Sequence, residues 1–176
     1  MYKTKTHHEC EMPARAKLNV LALNGSLKRE PDISNTDEVT REVIANMGKS
    51  CEINSEVIRL AHKYFKIERF SSLVIHHNDA FLFVKTCQEK FDLIIVDVFV
   101  GAVTPPHLED EIFLEQINCL LLPTGMVLYN RAFFDSNSKK STVLMADKMG
   151  KIIGQTTIHK VRAYGIKNAI LVCEKE

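Results

Sequence analysis

Phe91-Asp92-Leu93-Ile94-Ile95-Val96-Asp97-Val98-Phe99 is the stretch of this 176-residue chain that decides the fold. The run is too evenly apolar for a strand with one wet face and far shorter than the roughly 20 residues that span a bilayer. It reads as a strand buried on both faces, with a carboxylate, Asp97, near its end. Such strands belong to parallel sheets, and parallel neighbours need helical crossovers.

The sequence supplies those crossovers on both sides. Toward the N-terminus, Ala80 to Lys90 reads as a helix and Leu73 to His77 as a strand. Leu18 to Leu23 is another aliphatic strand, closed by the turn signal Asn24-Gly25-Ser26. Ser34-Asn35-Thr36-Asp37-Glu38 offers caps and early acids to a helix with Val39, Val43, Ile44 and Met47 inward and Gly48 as its stop. Cys51 to Asn54 reads as a brief strand, after which Ser55 caps a helix with Val57, Ile58, Leu60, Ala61, Tyr64 and Phe65 on one face. A long strand reaching Leu60 is the alternative there.

Toward the C-terminus, Glu109 to Leu122 is a helix with Ile112, Phe113, Ile117 and Leu120 inward. Pro123-Thr124-Gly125 stops it before a strand over Met126 to Asn130. Ser138 to Gly150 is a further helix. Thr156 to Arg162 and Asn168 to Glu174 then flank a Tyr164-Gly165 turn and pair as an antiparallel hairpin. The alternation predicts an α/β, doubly wound, Rossmann-like fold: a mainly parallel sheet with helices on both faces and a C-terminal antiparallel hairpin. Its ligand site is expected at the carboxyl ends of the strands, where the strand order reverses.

Composition bounds the function. With 45% apolar and 26% charged residues the chain fits one globular domain, residues 17 to 176, preceded by a disordered leader over 1 to 16. Twenty-three Lys plus Arg against 22 Asp plus Glu leave a net charge of +1, so no global field favours nucleic acid or an anionic membrane, and an anion site must be local. Five widely spaced cysteines without a Cys-x-x-Cys pair fit free thiols in a reducing cytosol, and the expected location is cytoplasmic. The chain carries no Ser-His-Asp order, P-loop or zinc spacing, so no metal is expected. His76 and His77 are adjacent on a strand and face opposite sides, which excludes a metal site from that pair alone. His107, in the Pro-Pro-His-Leu loop, reads as lining the substrate side or as a plain loop residue.

From Glu52 onward the chain resembles class I S-adenosylmethionine-dependent methyltransferases, and within them the spermidine synthase-like branch. Glu52-Ile53-Asn54-Ser55-Glu56-Val57 with Ala61-His62-Lys63-Tyr64-Phe65 carries the likeness, followed by Asn78-Asp79-Ala80 and by Phe91 to Asp97. Pro105-Pro106-His107-Leu108, Phe113-Leu114 and Leu122-Pro123-Thr124-Gly125 then come in the same order. The resemblance implies an S-adenosylmethionine cofactor, with Glu52 accepting from the ribose hydroxyls, Asp79 from the adenine amino group, and Asp97 facing the transferred group. In the polyamine branch the last of these acids helps to deprotonate the attacking amine, a general-base role. That branch has a second acid shortly after the Asp97 position, where this chain has Val98-Phe99-Val100. Its glycine-rich first loop is here Asn24-Gly25-Ser26-Leu27-Lys28-Arg29, with a single glycine.

The replaced segment is similar to something else. Val20 to Lys28, Ser34-Asn35-Thr36 and Glu56 to Leu60 resemble the start of flavodoxin-like NADPH-dependent FMN reductases. This second resemblance implies an FMN phosphate held by Asn24, Gly25, Ser26, Lys28, Ser34, Asn35 and Thr36, in the way that hydroxyls and open backbone donors gather on an anion. The two likenesses divide the chain into a flavodoxin-like half, 17 to 61, and a methyltransferase-like half, 62 to 176, as in a hybrid. Glu52 also reads as a solvated strand end, Asp79 as the N-cap of the helix at Ala80, and Ser34, Asn35 and Thr36 as capping residues.

Three functions remain open: a transferase of methyl or aminopropyl groups, an FMN-dependent reductase, and an inactive hybrid. The expected partners are a small-molecule cofactor and substrate. Nothing in the sequence sets an oligomeric state, and a homodimer is compatible with it.

Overall fold

A computed structural model describes residues 18–27, 49–101, 103–163 and 166–176. Among these residues seven strands form one sheet: β1 (Val20–Leu27), β2 (Lys49–Glu52), β3 (Val74–His77), β4 (Phe91–Val100), β5 (Leu121–Ala132), β6 (Thr156–Ala163) and β7 (Ile166–Glu174). Their spatial order is β3-β2-β1-β4-β5-β7-β6. The first four neighbour pairs are parallel, whereas β7 runs antiparallel to both β5 and β6. The expected doubly wound sheet with its terminal hairpin is therefore present, and its strand order reverses between β1 and β4.

Among the described residues four α-helices accompany the sheet: α1 (Ser55–Leu60), α2 (Ala80–Thr86), α3 (Glu111–Leu120) and α4 (Ser136–Ile152). Alternate residues of the strands build the main core with the last three. Leu21 and Leu23, Ile94 and Val96, Val127 and Tyr129, and Leu171 and Cys173 pack on Phe83, Phe113, Leu114, Ile117, Met145 and Met149. The opposite face holds a smaller group in which Val20 and Ala22 meet Leu73, Leu93 and Ile95. Period-2 alternation thus gives the two faces different roles.

Polar groups tie the strand ends together. Asn19 donates its backbone N–H to Asp92 Oδ2 at 2.8 Å and its amide to the Lys90 carbonyl at 2.6 Å, which fixes the start of β1 beside the start of β4. Lys175 donates to the carbonyls of Asn118 and Leu121 at 2.7 and 3.1 Å, and Lys90 Nζ to that of Cys119, so two cations meet the C-terminal carbonyls of α3. Gly101, at φ 66°, turns the chain after β4 so that Val100 can pair with Val103.

Several expected boundaries move. Asn24-Gly25-Ser26 is strand, not a turn, because β1 stays in register with β4 as far as Leu27 opposite Val100. Long-range pairing of the backbone overrides a local turn signal. The long strand through Leu60 is absent: β2 ends at Glu52, and α1 begins at Ser55 with Asn54 rather than Ser55 as its N-cap. Tyr64, expected on the apolar face of that helix, is 63% exposed. The helix over Ala80 to Lys90 stops at Thr86, and the one over Glu109 to Leu122 spans only Glu111–Leu120. Pro123-Thr124-Gly125 lies within β5, at a register shift between the pairs Phe91/Leu121 and Leu93/Met126. The leader over 1 to 16 and the helix over Ser34 to Gly48 lie outside the described residues.

Candidate cofactor crevice

The strand-order reversal places the crevice at the carboxyl ends of β1 and β4. Register brings one polar row to that edge. Asn24 of β1 stands opposite Glu52 of β2 on one side and opposite Asp97 of β4 on the other, and Glu52 in turn stands opposite His77 of β3. In-register residues of parallel strands share a face, so Glu52 and Asp97 point to the same side, about 9–10 Å apart at two strand spacings. That side carries Val20, Ala22, Leu93 and Ile95 and is opposite the main core.

Glu52 is 4% exposed. Its Oε1 accepts the Asn54 N–H at 2.8 Å, while Oε2 is buried and finds no hydrogen-bond partner among the described residues. Burial raises its pKa above the ordinary glutamate range, opposed by the backbone N–H groups of Asn54 and Ile53 and by the nearby His77. His77 Nε2 lies 2.8 Å from the Ile53 carbonyl, as a ring N–H donor to it. The carboxylate is therefore held at a strand tip, with one oxygen satisfied and the other waiting for a donor.

Asp97 is half-buried, and burial raises its pKa too; the amide of Asn130, donating to Oδ1 at 2.8 Å, pulls the other way. Asn130 is in turn joined by Asn168, whose Nδ2 donates to Asn130 Oδ1 at 3.0 Å. The sequence reading leaves both asparagines unmarked. The one signal for Asn130 was an amide closing the apolar strand Met126 to Asn130, next in βαβ order to the strand that carries Asp97.

Asp79 caps α2: its Oδ1 accepts the backbone N–H groups of Phe81 and Leu82 at 2.9 and 3.0 Å. The capping reading of this residue thus has a geometry, with Oδ2 left over. His76 turns to the other face and packs on Phe83, ring centroids 4.8 Å apart. His107 meets Phe81 edge-on at 5.8 Å. A groove of about 590 Å³ between the start of α3 and α4, lined by Glu111, Lys140, Ser141 and Leu144 among others, contains none of the three acids.

The expected flavin-phosphate residues fare differently. Asn24, Gly25 and Ser26 are extended beside Asp97, Val98 and Phe99, which is not the compact turn that gathers backbone donors around an anion. Lys28, Ser34, Asn35 and Thr36 lie outside the described residues.

The spermine/spermidine synthase domain matches residues 17–165. The chain belongs to that family. The match begins at residue 17 and takes in the whole segment assigned to a flavodoxin-like half, so the hybrid and its FMN site have no support in it. The polyamine aminopropyltransferase of Vibrio vulnificus strain CMCP6 is 30% identical over 82 residues, 45% of this chain and 27% of that protein. The spermidine synthase of Thermotoga maritima superposes with a TM-score of 0.65 at 17% identity, over 91% of this chain and 55% of that one. Human methyltransferase-like protein 13, solved in complex with SAH, gives a TM-score of 0.68 at 16% identity over 92% of this chain and 73% of that one. The chain therefore spans about a quarter of the curated polyamine aminopropyltransferase it matches and about half of the solved spermidine synthase.

Proposed function

We propose that this spermine/spermidine synthase-family protein binds an S-adenosylmethionine-type cofactor in the β1–β4 crevice and transfers a methyl or aminopropyl group from it. The observation that carries this reading is the row Glu52–Asn24–Asp97, in which Glu52 keeps a buried oxygen without a donor among the described residues. A ribose diol brings two hydroxyl donors, and a buried carboxylate oxygen rewards them strongly because the lone acceptor is costly. The residues present therefore fit the nucleoside end of such a cofactor. The neighbour solved with SAH supports the same ligand class.

When bound, the cofactor supplies an electrophilic carbon on its sulfonium. The chain's own work is to hold and to orient. Glu52 grips the ribose, Asp79 offers its second oxygen to the adenine amino group, and Asp97 takes the proton of the acceptor as the new bond forms. Val98 and Phe99, partly buried, and Val100 follow Asp97 without a further carboxylate. A dicationic polyamine would find no second anion there, which favours an acceptor with one nucleophilic group on an apolar frame.

Calorimetric titration of the full chain with S-adenosylmethionine and S-adenosylhomocysteine tests the reading. Saturable heat that disappears in Glu52→Gln is expected. A folded protein that gives no heat at millimolar ligand rejects it.

A further inference from the structure

The pair of amides behind Asp97 is not part of the cofactor grip, and its geometry has a direction. Asn130 Nδ2 donates to Asp97 Oδ1 at 2.8 Å, and Asn168 Nδ2 donates to Asn130 Oδ1 at 3.0 Å. We infer that Asn168 and Asn130 are positioning residues for Asp97: hydrogen-bonded in series, they engage Oδ1 and leave Oδ2 as the oxygen presented to an acceptor in the crevice. The inference rests on the reading of Asp97 as the acid that faces the acceptor.

An ionised carboxylate only accepts, so Asn130 must turn its NH₂ toward Asp97. Its Oδ1 then faces Asn168, which must present its own NH₂. One choice sets the next, and both amides end with their donors aimed at the acid.

The three residues come from three neighbouring strands, β4, β5 and β7. In the β5–β7 register Asn130 stands opposite Ile170 and Ala132 opposite Asn168, so Asn168 reaches Asn130 along the diagonal of one face. Around the two amides that face is apolar, with Leu128 on β5, Ile170 and Val172 on β7 and Leu93 and Ile95 on β4; Glu174 stands at the far end of β7, opposite Met126, and Thr157 and His159 lie beyond on β6. Two amides among aliphatic neighbours, aimed in sequence at one carboxylate, serve that carboxylate.

The titratable side chains on the β7 and β6 side of this face are Glu174, opposite Met126 at the far end of β7, and His159, opposite Ile170 on β6. The strand beside β4 on the other side presents Asn24, and the acid beyond it, Glu52, is two strands away. Among the described residues, burial pushes Asp97 up and the Asn130 amide pulls it down. Removing the amide leaves burial unopposed.

The test follows the carboxyl carbon of Asp97 by NMR in the full chain labelled with ¹³C-aspartate, with Asp97→Asn assigning the signal. The measurement needs no cofactor. Asn130→Leu should raise the titration midpoint by about half a pH unit or more, Asn168→Leu by a smaller amount in the same direction, and Asn168→Ser should lie nearer wild type. The acid limb of the transfer rate should move up with the midpoint while S-adenosylmethionine affinity stays within about twofold of wild type. If Asn130→Leu does not fold, Asn168→Leu carries the test alone. Midpoints equal to wild type in folded variants overturn the relay even if the cofactor binds. Conversely, a chain that binds no cofactor but shows the shifts loses its proposed function and keeps the relay.

Discussion

Glu52 and Asp97 flank Asn24 in one row of the sheet, each as its register partner, on the side opposite the main core. Two carboxylates forced to one edge by three parallel strands are close enough to act on one ligand and too far apart to share a proton. They can therefore take separate roles, one on the nucleoside and one on the acceptor.

The Glu52 carboxyl has its pKa raised by burial in the folded state. The folded protein thus holds this proton more tightly than the unfolded chain does. The stability contributed by the group is complete below the ordinary glutamate range and is lost as pH rises through the raised value. Denaturant titrations of the ligand-free protein across pH 4 to 8 should show Glu52→Gln losing less stability than wild type over that interval and ending more stable at neutral pH. Parallel curves for the two proteins would contradict the orphaned-oxygen account.

Asp97→Asn keeps an acceptor for Asn130 and removes only the capacity to take a proton. Calorimetry should find the S-adenosylmethionine affinity within about twofold of wild type, and a labelled-methyl or labelled-aminopropyl assay should find transfer slowed by roughly 10²–10⁴-fold. Full activity in the variant would remove Asp97 from the chemistry.

Asp79 is predicted to act twice, and serine separates the two roles. Asp79→Ala should cost ~1 kcal/mol by opening the N-terminus of α2. Asp79→Ser restores the cap, yet it lacks a second oxygen for an adenine amino group. It should regain stability in thermal melts without regaining nucleoside affinity; recovery of both would make the residue a cap alone.

Two glycines should respond with opposite signs. A Cβ on Gly154 would lie 2.2 Å from the Glu174 carbonyl oxygen and 2.8 Å from the Glu176 nitrogen, both backbone atoms, so Gly154→Ala should destabilise by about 1–3 kcal/mol. Gly150, inside α4, has nothing within 4 Å of that position, and Gly150→Ala should stabilise by about 0.4–1 kcal/mol. Urea unfolding of the two variants beside wild type reads both.

Lys175 closes the C-terminal end of α3 through two carbonyls. Lys175→Ala should lower stability by about 1 kcal/mol, with the deficit shrinking in high salt. A deficit unchanged by salt would mean that packing of the aliphatic stem, not charge, is what was lost.

Much of this was legible in the linear chain because it depends on local patterns. The apolar run at Phe91 to Phe99 demanded a buried parallel strand, the spacing of Phe113 and Ile117 a helix, and the run after Thr156 a hairpin, and all three are present. The likeness around Glu52, Asp79 and Asp97 likewise pointed to the family whose domain spans residues 17–165. The flavodoxin-like reading went astray at Asn24-Gly25-Ser26. There a turn signature lay on a strand, because the partner that straightens it, Asp97 to Val100, is some 70 residues away and exerts no pull on local composition.

Sequence by itself determined the order of strands and helices, the carboxylates available at strand tips and the family, since each is written in nearest-neighbour periodicity or in ordered motifs. Which strand lies beside which was decided only by tertiary structure. That choice made Asn24 the common partner of Glu52 and Asp97, left Glu52 Oε2 without a donor among the described residues, and set Asn168 behind Asn130. Register and burial are properties of the packed sheet, and they arise only when hydrophobic faces and backbone ladders from distant segments are satisfied together.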